Sequence, residues 1–302
     1  MTNEQFTHKK NARIAVSIFF FLSGFTFSTW ASRIPDLQKK FQLNDAELGS
    51  LLVLLPLGLM LTMPVAGYLL NIYNSKNIML IGSLLYSLLL GLLGLATKVW
   101  ELGIILFFFG SFRNLFNISV NIQAVGVQGL FDKSIMTSFH GVWSVAGFAG
   151  AAIASLIISG DVSVTTHFLI IGIITFIIIT IISRYVLQND NHPHQRNTAF
   201  ILPDKPLIKL AIIAFCSMVC EGTIGEWGSI YFEKQVNTSK GFTTLGYICY
   251  LCAMTVGRFA GDWAVNNWGV KRILQLSGTM VLTGVGLAIL FPNITTAALG
   301  FF

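Results

Sequence analysis

Charged side chains are scarce in this sequence. Only 11% of its 302 residues are aspartate, glutamate, lysine or arginine, whereas an ordinary soluble domain carries about 25%. Hydrophobic residues make up 54%, and the mean hydropathy is +0.72. This composition predicts an all-α polytopic membrane protein. It argues against a soluble enzyme and against nucleic-acid binding, despite a net charge of +6.

Cysteine is also rare, with only four residues in the chain. Cys249 and Cys252 have the spacing of a redox or zinc pair, but the surrounding stretch "YICYLCAM" is apolar and offers no further ligand. We interpret both as small core residues. We therefore expect neither a metal nor a cofactor.

Long apolar runs dominate the chain. A helix needs about 20 apolar residues to cross the hydrocarbon core, and we predict about nine and a half transmembrane helices on this basis. The last run begins near residue 294 and stops at Phe302, so we expect a C-terminal truncation inside this span. The complete spans are predicted near 14–32, 48–70, 77–96, 102–123, 138–159, 166–187, 208–232, 243–262 and 273–291.

A hydrophilic stretch at 184–209 separates the spans into two sets. We predict an N-terminal six-helix bundle at 1–187, a linker at 188–206 and an incomplete second bundle at 207–302. Lysine and arginine are more frequent in the loops on the side of the N-terminus, which predicts a cytoplasmic N-terminus.

The two sets share a spacing that indicates an internal repeat. Gly49 follows Trp30 at the same separation at which Gly246 follows Trp227. Parallel repeats of this kind occur in several transporter folds. The two tryptophans could stack on a sugar ring or gate the mouth of a pathway, and they could equally be interfacial anchors.

A stripe of polar side chains runs through the fourth predicted span. Arg113, Asn117 and Asn121 lie within about 80° of one another on a helix, and Asn114 flanks them. A cation at the centre of a membrane helix costs roughly 2.5–3.5 kcal/mol, so such residues usually face a cavity or a partner. The stripe is either a solute-binding face or an amide ladder that packs helices together.

Glu221 is the other deep charge, near the middle of the seventh predicted span. A carboxyl group that can exchange a proton and a cationic partner is what proton coupling requires. We hypothesise that Glu221 pairs with Arg113 in one state, and that solute or a proton separates them. The alternative is a structural ion pair without coupling.

Four further motifs carry a resemblance to a known family. They are "TWASRIPDLQ" (29–38), "NIQAVGVQ" (121–128), "SFHGVWSVAGFAG" (138–150) and "EGTIGEWGSIY" (221–231). With these motifs the chain resembles the major facilitator superfamily (MFS) and is most similar to a bacterial branch of inner-membrane permeases distantly related to fucose permease. The resemblance implies two six-helix bundles, a bacterial cytoplasmic (inner) membrane, and a central cavity lined by spans one, four, seven and ten.

The inner-loop signature of this family, G-x-x-x-D-[RK]-x-G-R-[RK], occurs in two copies. The first is degraded and keeps Gly67 and Lys76. The second keeps Arg258 and Asp262 among its matching positions. The resemblance implies that Arg258 and Asp262 gate the conformational change.

We expect a secondary transporter of a small polar solute, a sugar or a similar metabolite, that works by alternating access. Protons and the lipid bilayer are the other expected partners, and we expect a monomer. No metalloprotease, serine-hydrolase or paired-aspartate pattern is present, so we do not expect an enzyme. Efflux of drugs or metabolites, or a truncated membrane protein that does not transport, are the alternatives.

Overall fold

The computed structural model describes residues 3–131, 135–188 and 205–302. These residues form α-helices and two short 3-10 turns, and no strand occurs among them. The predicted linker lies almost wholly outside the described residues. In chain order the helices are α1 (Asn3–Ala31), α2 (Ile34–Lys40), α3 (Asp45–Leu52), α4 (Leu54–Ile72), α5 (Ser75–Leu95), α6 (Val99–Gln128), α7 (Met136–Ser159), α8 (Val164–Ile182), α9 (Lys205–Lys234), α10 (Leu245–Trp268), α11 (Val270–Leu290) and α12 (Ile294–Phe301).

The predicted all-helical, multi-span architecture is confirmed. Seven segments of the described chain are long and apolar enough to cross a membrane. α9 and α10 have 30 and 24 residues, which at about 1.5 Å per residue also reaches across a core of roughly 30 Å. The predicted second span begins with α3, where Asn44 and Glu47 form a capping box.

The helices pack in two groups. In the first group, α5 lies between α6 and α8, α1 packs along α7, and α4 packs along α6. In the second group, α10 contacts α9 and α12, and α11 packs on α12. We call α1–α8 the first half and α9–α12 the second half. The halves meet where α10 crosses α7 and where α9 reaches α2.

Close backbone contact fixes the position of α6 against α4. A Cβ atom at Gly58 would overlap the carbonyl oxygen of Phe107, and one at Gly110 would overlap the carbonyl oxygen of Leu55. Glycine at both positions therefore lets the two backbones touch, as small residues do at membrane helix interfaces. This contact lies next to Arg113 on α6.

The junction after α1 is more ordered than the sequence suggested. The sequence between the first two predicted spans carries no long apolar run, but Asp36 belongs to α2 and Arg33, just before this helix, is buried. The Arg33 side chain forms an ion pair with Asp36 at 2.7 Å, and it donates hydrogen bonds to His167 Nδ1 at 3.0 Å and to the carbonyl oxygen of Val162 at 2.8 Å. One arginine thus ties α1 and α2 to α8.

The molecule has two ends that differ in how the halves meet. We call them the Trp30 end, where α1 finishes and α7 finishes, and the Arg258 end, where α1 and α7 begin. At the Trp30 end, the 3-10 turn Lys240–Phe242 packs on α7, and Ser155 Oγ donates to the carbonyl oxygen of Gly241 at 2.5 Å. Towards the Arg258 end, the early part of α9 is exposed, including Phe215 and Met218.

Candidate solute-binding cavity

α1 and α6 run antiparallel and present matching layers of side chains to each other. Ser23 Oγ donates to Asn117 Oδ1 at 3.3 Å. One turn along both helices, the guanidinium carbon of Arg113 lies 3.9 Å from the centroid of the Phe27 ring. Because side chains four residues apart share one helix face, the stripe predicted on α6 faces α1 over these two layers.

Arg113 is half-buried between the two halves. Its charge acts on Tyr86 of α5 in the first half, and on Tyr247 of α10 and Glu226 of α9 in the second half. Apart from the stacking on Phe27, Arg113 forms no hydrogen bond or ion pair within the described part of the chain. The arginine is therefore surrounded by polar groups but directly bonded to none of them.

The three asparagines of the stripe line one groove. This open groove, of about 540 Å³, lies on α6 beside Leu59 of α4 and includes Asn114, Asn117 and Asn121. The amide nitrogen of Asn121 donates to the carbonyl oxygen of Asn117 at 2.7 Å within α6. Asn114 is only 4% exposed, and its amide nitrogen has no partner. Part of the stripe thus supports helix packing and part of it remains available.

The two acidic residues of α9 differ in their surroundings. Glu221 is exposed, and its charge acts on Tyr250 of α10. Glu226 is half-buried and is the acidic group on which the Arg113 charge acts. Neither forms an ion pair with Arg113 in this conformation. The hypothesised pairing of Arg113 with Glu221 stays a prediction for another conformation.

The two tryptophans of the repeat occupy different environments. Trp30 is 1% exposed, and its ring centroid lies 5.5 Å from that of Phe27 and 6.0 Å from that of Phe109. Trp227 is half-buried and lies against Gly49, where a Cβ atom would be 3.4 Å from its Cζ2 atom. Trp30 therefore backs the Phe27 layer inside the first half, whereas Trp227 bridges the halves.

Arg258 links the halves towards the other end. Its Nη1 donates to the carbonyl oxygen of His140 at 3.2 Å, and its guanidinium carbon lies 5.2 Å from the Trp143 ring centroid. Both contacts join α10 to the start of α7. Asp262 belongs to α10, but its side chain lies outside the described residues. The position of Arg258 is compatible with the gating role implied by the resemblance.

Ion pairs between the halves gather at the Trp30 end. Lys240 Nζ lies 2.5 Å from Asp161 Oδ1, and this hydrogen bond holds the pKa of the Asp161 carboxyl below its usual value and raises the pKa of the Lys240 ammonium. Both groups lie outside the membrane-spanning segments. The other ion pairs between the halves here are Lys39 with Glu233 and Lys234 with Asp45.

The two cysteines considered for metal or redox chemistry lie on α10 and are partly buried. Cys249 and Cys252 are free thiols, and no group of metal-ligating side chains occurs among the residues that the structure describes.

Gln123, at the end of the polar stripe, exchanges hydrogen bonds with the backbone of Leu187 at 3.1 and 3.3 Å and donates to Ser75 at 2.8 Å. It ties α6 to α5 and to the end of α8.

Sequence reasoning did not single out the aromatic groups around Arg113. Phe27 lies in a phenylalanine-rich run of α1, where nothing distinguishes it locally. Tyr86 carried a usable signal, because it interrupts a leucine-rich helix, and a buried tyrosine hydroxyl usually needs a partner. Its hydroxyl is buried and has none in the part of the chain described.

These features define a helical membrane protein with an asparagine-lined groove on α6 and a half-buried arginine beside it. The family model of the Major Facilitator Superfamily matches residues 16–302, and the chain belongs to this family of membrane transporters. It is 27% identical over 289 residues to an uncharacterised MFS-type transporter of Yersinia pestis, covering 96% of this chain and 75% of that protein. It is also 27% identical over 293 residues to membrane protein MosC of Rhizobium meliloti, covering 97% of this chain and 72% of that protein.

Solved structures share the fold. The nucleoside transporter NupG superimposes with a TM-score of 0.71 at 14% identity, covering 96% of this chain and 78% of that chain. A bacterial homologue of the human lysosomal transporter Spinster, in an inward-facing and unoccupied conformation, superimposes with a TM-score of 0.69 at 14% identity. The superposition covers 97% of this chain and 73% of that chain. At these identities the likeness shows the fold alone. The family model is what confirms the resemblance drawn from the motifs.

Proposed function

We propose that this chain is a secondary transporter that carries a small polar solute, a sugar or a similar metabolite, by alternating access. The observation that carries the proposal is the position of Arg113. It is a half-buried cation in the middle of a membrane helix, its charge acts on both halves, and no described residue bonds to it. Intramembrane charges with this placement mark solute and ion pathways.

In this proposal the solute lies against α6, with Arg113, Asn114, Asn117 and Asn121 as its binding face. Trp30 and Trp227 form the aromatic layer towards the Trp30 end. Support comes from the groove along α6 and from the unpartnered amide nitrogen of Asn114.

Glu221 is proposed to exchange the coupling proton. It is an exposed carboxyl beside Tyr250 on the helix that faces Arg113, and no described side chain neutralises it. Arg258 and Asp262 are proposed to gate the Arg258 end.

We propose that the Trp30 end faces outwards and that the N-terminus is cytoplasmic, in a bacterial inner membrane, with the monomer as the working unit. The distribution of lysine and arginine in the loops supports this orientation. The exposed early part of α9, together with an open groove of about 400 Å³ lined by Lys10, Arg13 and Phe21, supports access from the cytoplasmic side.

Uptake into proteoliposomes tests the proposal. Sugars, sugar acids, nucleosides and drug-like cations are offered with and without an imposed pH gradient. We expect uptake of one polar class that the gradient accelerates, and loss of this acceleration in Glu221→Gln but not in the matched control Glu47→Gln. Uptake of drug-like cations alone would favour efflux, and no uptake at all would contradict transport of a polar solute.

A further inference from the structure

Arg113 and two side chains related to it, those of Asn114 and Tyr86, have hydrogen-bond donors without a partner among the described residues. The Arg113 guanidinium bonds to no described residue, and it can only donate. The buried amide nitrogen of Asn114, the next residue on α6, has no acceptor either. The buried Tyr86 hydroxyl, on which the Arg113 charge acts, also has no partner. Unsatisfied buried donors are costly, so this site is short of acceptor atoms.

The stacking geometry leaves part of Arg113 free for a ligand. The guanidinium carbon of Arg113 lies 3.9 Å from the centroid of the Phe27 ring, as expected for a cation–π contact. This contact uses none of the guanidinium N–H groups for a hydrogen bond, so they are free to donate to a ligand. Two parallel N–H groups on one edge match the two oxygens of a carboxylate. The arginine is thus held ready for a planar acid group.

The charge balance of the cavity limits the ligand to a single negative charge. Arg113 supplies one positive charge to this site. Arg258 is engaged with His140 and Trp143 towards the other end of the molecule. Glu226 of α9 is the half-buried acidic group on which the Arg113 charge acts, and its carboxyl group disfavours a second negative charge nearby. A dianion such as a phosphate monoester fits this balance less well than a monocarboxylate.

We propose that the transported solute is a small hydroxylated monocarboxylic acid whose carboxylate binds the free edge of Arg113. This inference rests on the proposed transport function and narrows its substrate class from polar solutes to organic acids. The hydroxyl groups of the solute meet the asparagines along the α6 groove. Glu226 is the carboxyl with which the solute competes for the charge of Arg113.

Acid and amide pairs test the inference on the purified full-length chain. The probes are glycolate with glycolamide, lactate with lactamide, and glucuronate with glucuronamide. Each pair keeps its hydroxyl groups and differs in the negative charge. Binding is measured by calorimetry and by the shift in melting temperature. We expect at least one acid to bind about tenfold or more tightly than its amide.

Arg113→Gln should lose this preference, whereas Arg184→Gln should keep it, because Arg184 lies outside the cavity and stacks on Tyr185. Arg113→Lys, which keeps the charge without the planar edge, should bind the acid with intermediate affinity. The melting temperature and elution profile show whether each variant is folded.

Equal binding of acid and amide, no binding of any acid, or acid binding that survives in Arg113→Gln would overturn the inference. The proposed function is tested separately. If the proteoliposomes take up a neutral sugar while none of the acids binds, transport of a polar solute stands and the acid class is wrong. If the acids bind but no solute is taken up, the binding site stands and transport is contradicted.

Discussion

At the Trp30 end, the halves meet through three ion pairs and through Trp227 packed on Gly49. At the Arg258 end, the described contacts between the halves that involve a charged group are one hydrogen bond and one arginine–tryptophan cation–π contact. The Trp30 end is closed by paired charges at helix ends and turns. The other is open along the early part of α9, whose side chains are exposed.

This difference indicates how the closed end can reopen. An exposed or partly exposed pair such as Lys39 with Glu233 contributes about 0.2–1 kcal/mol. Several weak contacts hold an end closed without trapping it, because solute binding shifts a conformational equilibrium only by its difference in affinity for the two states. The two ends should therefore exchange their closed and open states around Arg113.

Locking the Trp30 end should have the largest effect. Lys39 and Glu233 are replaced by cysteine in a chain whose four native cysteines are serine. The resulting disulfide would fix α2 to α9, so uptake should fall to the background level and recover on reduction. The two single-cysteine variants are the controls. Full uptake by the crosslinked protein would contradict the need for this end to open.

Removing Arg258 should have an intermediate effect. Arg258→Ala loses one hydrogen bond and one cation–π contact between the halves, which together are worth about 1–2 kcal/mol. We expect uptake to fall by about fivefold to thirtyfold. Arg272→Ala is the control, because it removes an arginine from α11 without a described contact between the halves. Equal effects of both variants would argue against gating by Arg258.

Exchanging the charges of one ion pair should have a smaller effect. Lys39→Glu places two acidic groups together and should change the uptake rate by about fivefold or less. The double variant Lys39→Glu with Glu233→Lys restores opposite charges and should recover most of the original rate. If the uptake rate of the double variant is lowered by the combined effects of the two single variants, Lys39 and Glu233 do not interact in the working protein.

Of these four changes, a change of pH should have the smallest effect on the closure of the Trp30 end. Because the pKa of Asp161 is lowered, the stabilisation that its carboxylate gives to the closed end is fully present above pH 3.8. It is lost only as the pH falls through the lowered pKa. Because the pKa of Lys240 is raised, the stabilisation that its ammonium group gives is fully present below pH 10.5. It is lost only as the pH rises through the raised pKa. The distance between spin labels across this end should therefore stay constant between about pH 6 and 8. A change within that range would contradict this pairing.

The sequence predicted the features that depend on local pattern. Hydropathy located the membrane-spanning segments, and the Asn44–Glu47 capping box at the start of α3 follows a known local pattern. The longer helices differ at their ends: α1 begins at Asn3 and α6 continues to Gln128. Hydropathy marks the part of a helix that lipid covers, and helical structure continues beyond it.

Contacts between helices could not be predicted in the same way. The stripe on α6 was visible from its periodicity, but no local pattern indicates that Phe27 covers Arg113. No local pattern indicates that Arg33 is buried either, because its partner His167 lies far along the chain. For the same reason, Glu221 was singled out by its depth alone, whereas the Arg113 charge acts on Glu226 in this conformation.

The central claim is that the two ends open in alternation around one site. Electron-spin distance measurements test it most directly, with labels on Ala46 and Gln235 across the Trp30 end and on Tyr73 and Lys271 across the Arg258 end. On addition of the transported solute, we predict populations in which one distance lengthens as the other shortens. Distances that stay fixed, or that lengthen together, would contradict alternating access by this protein.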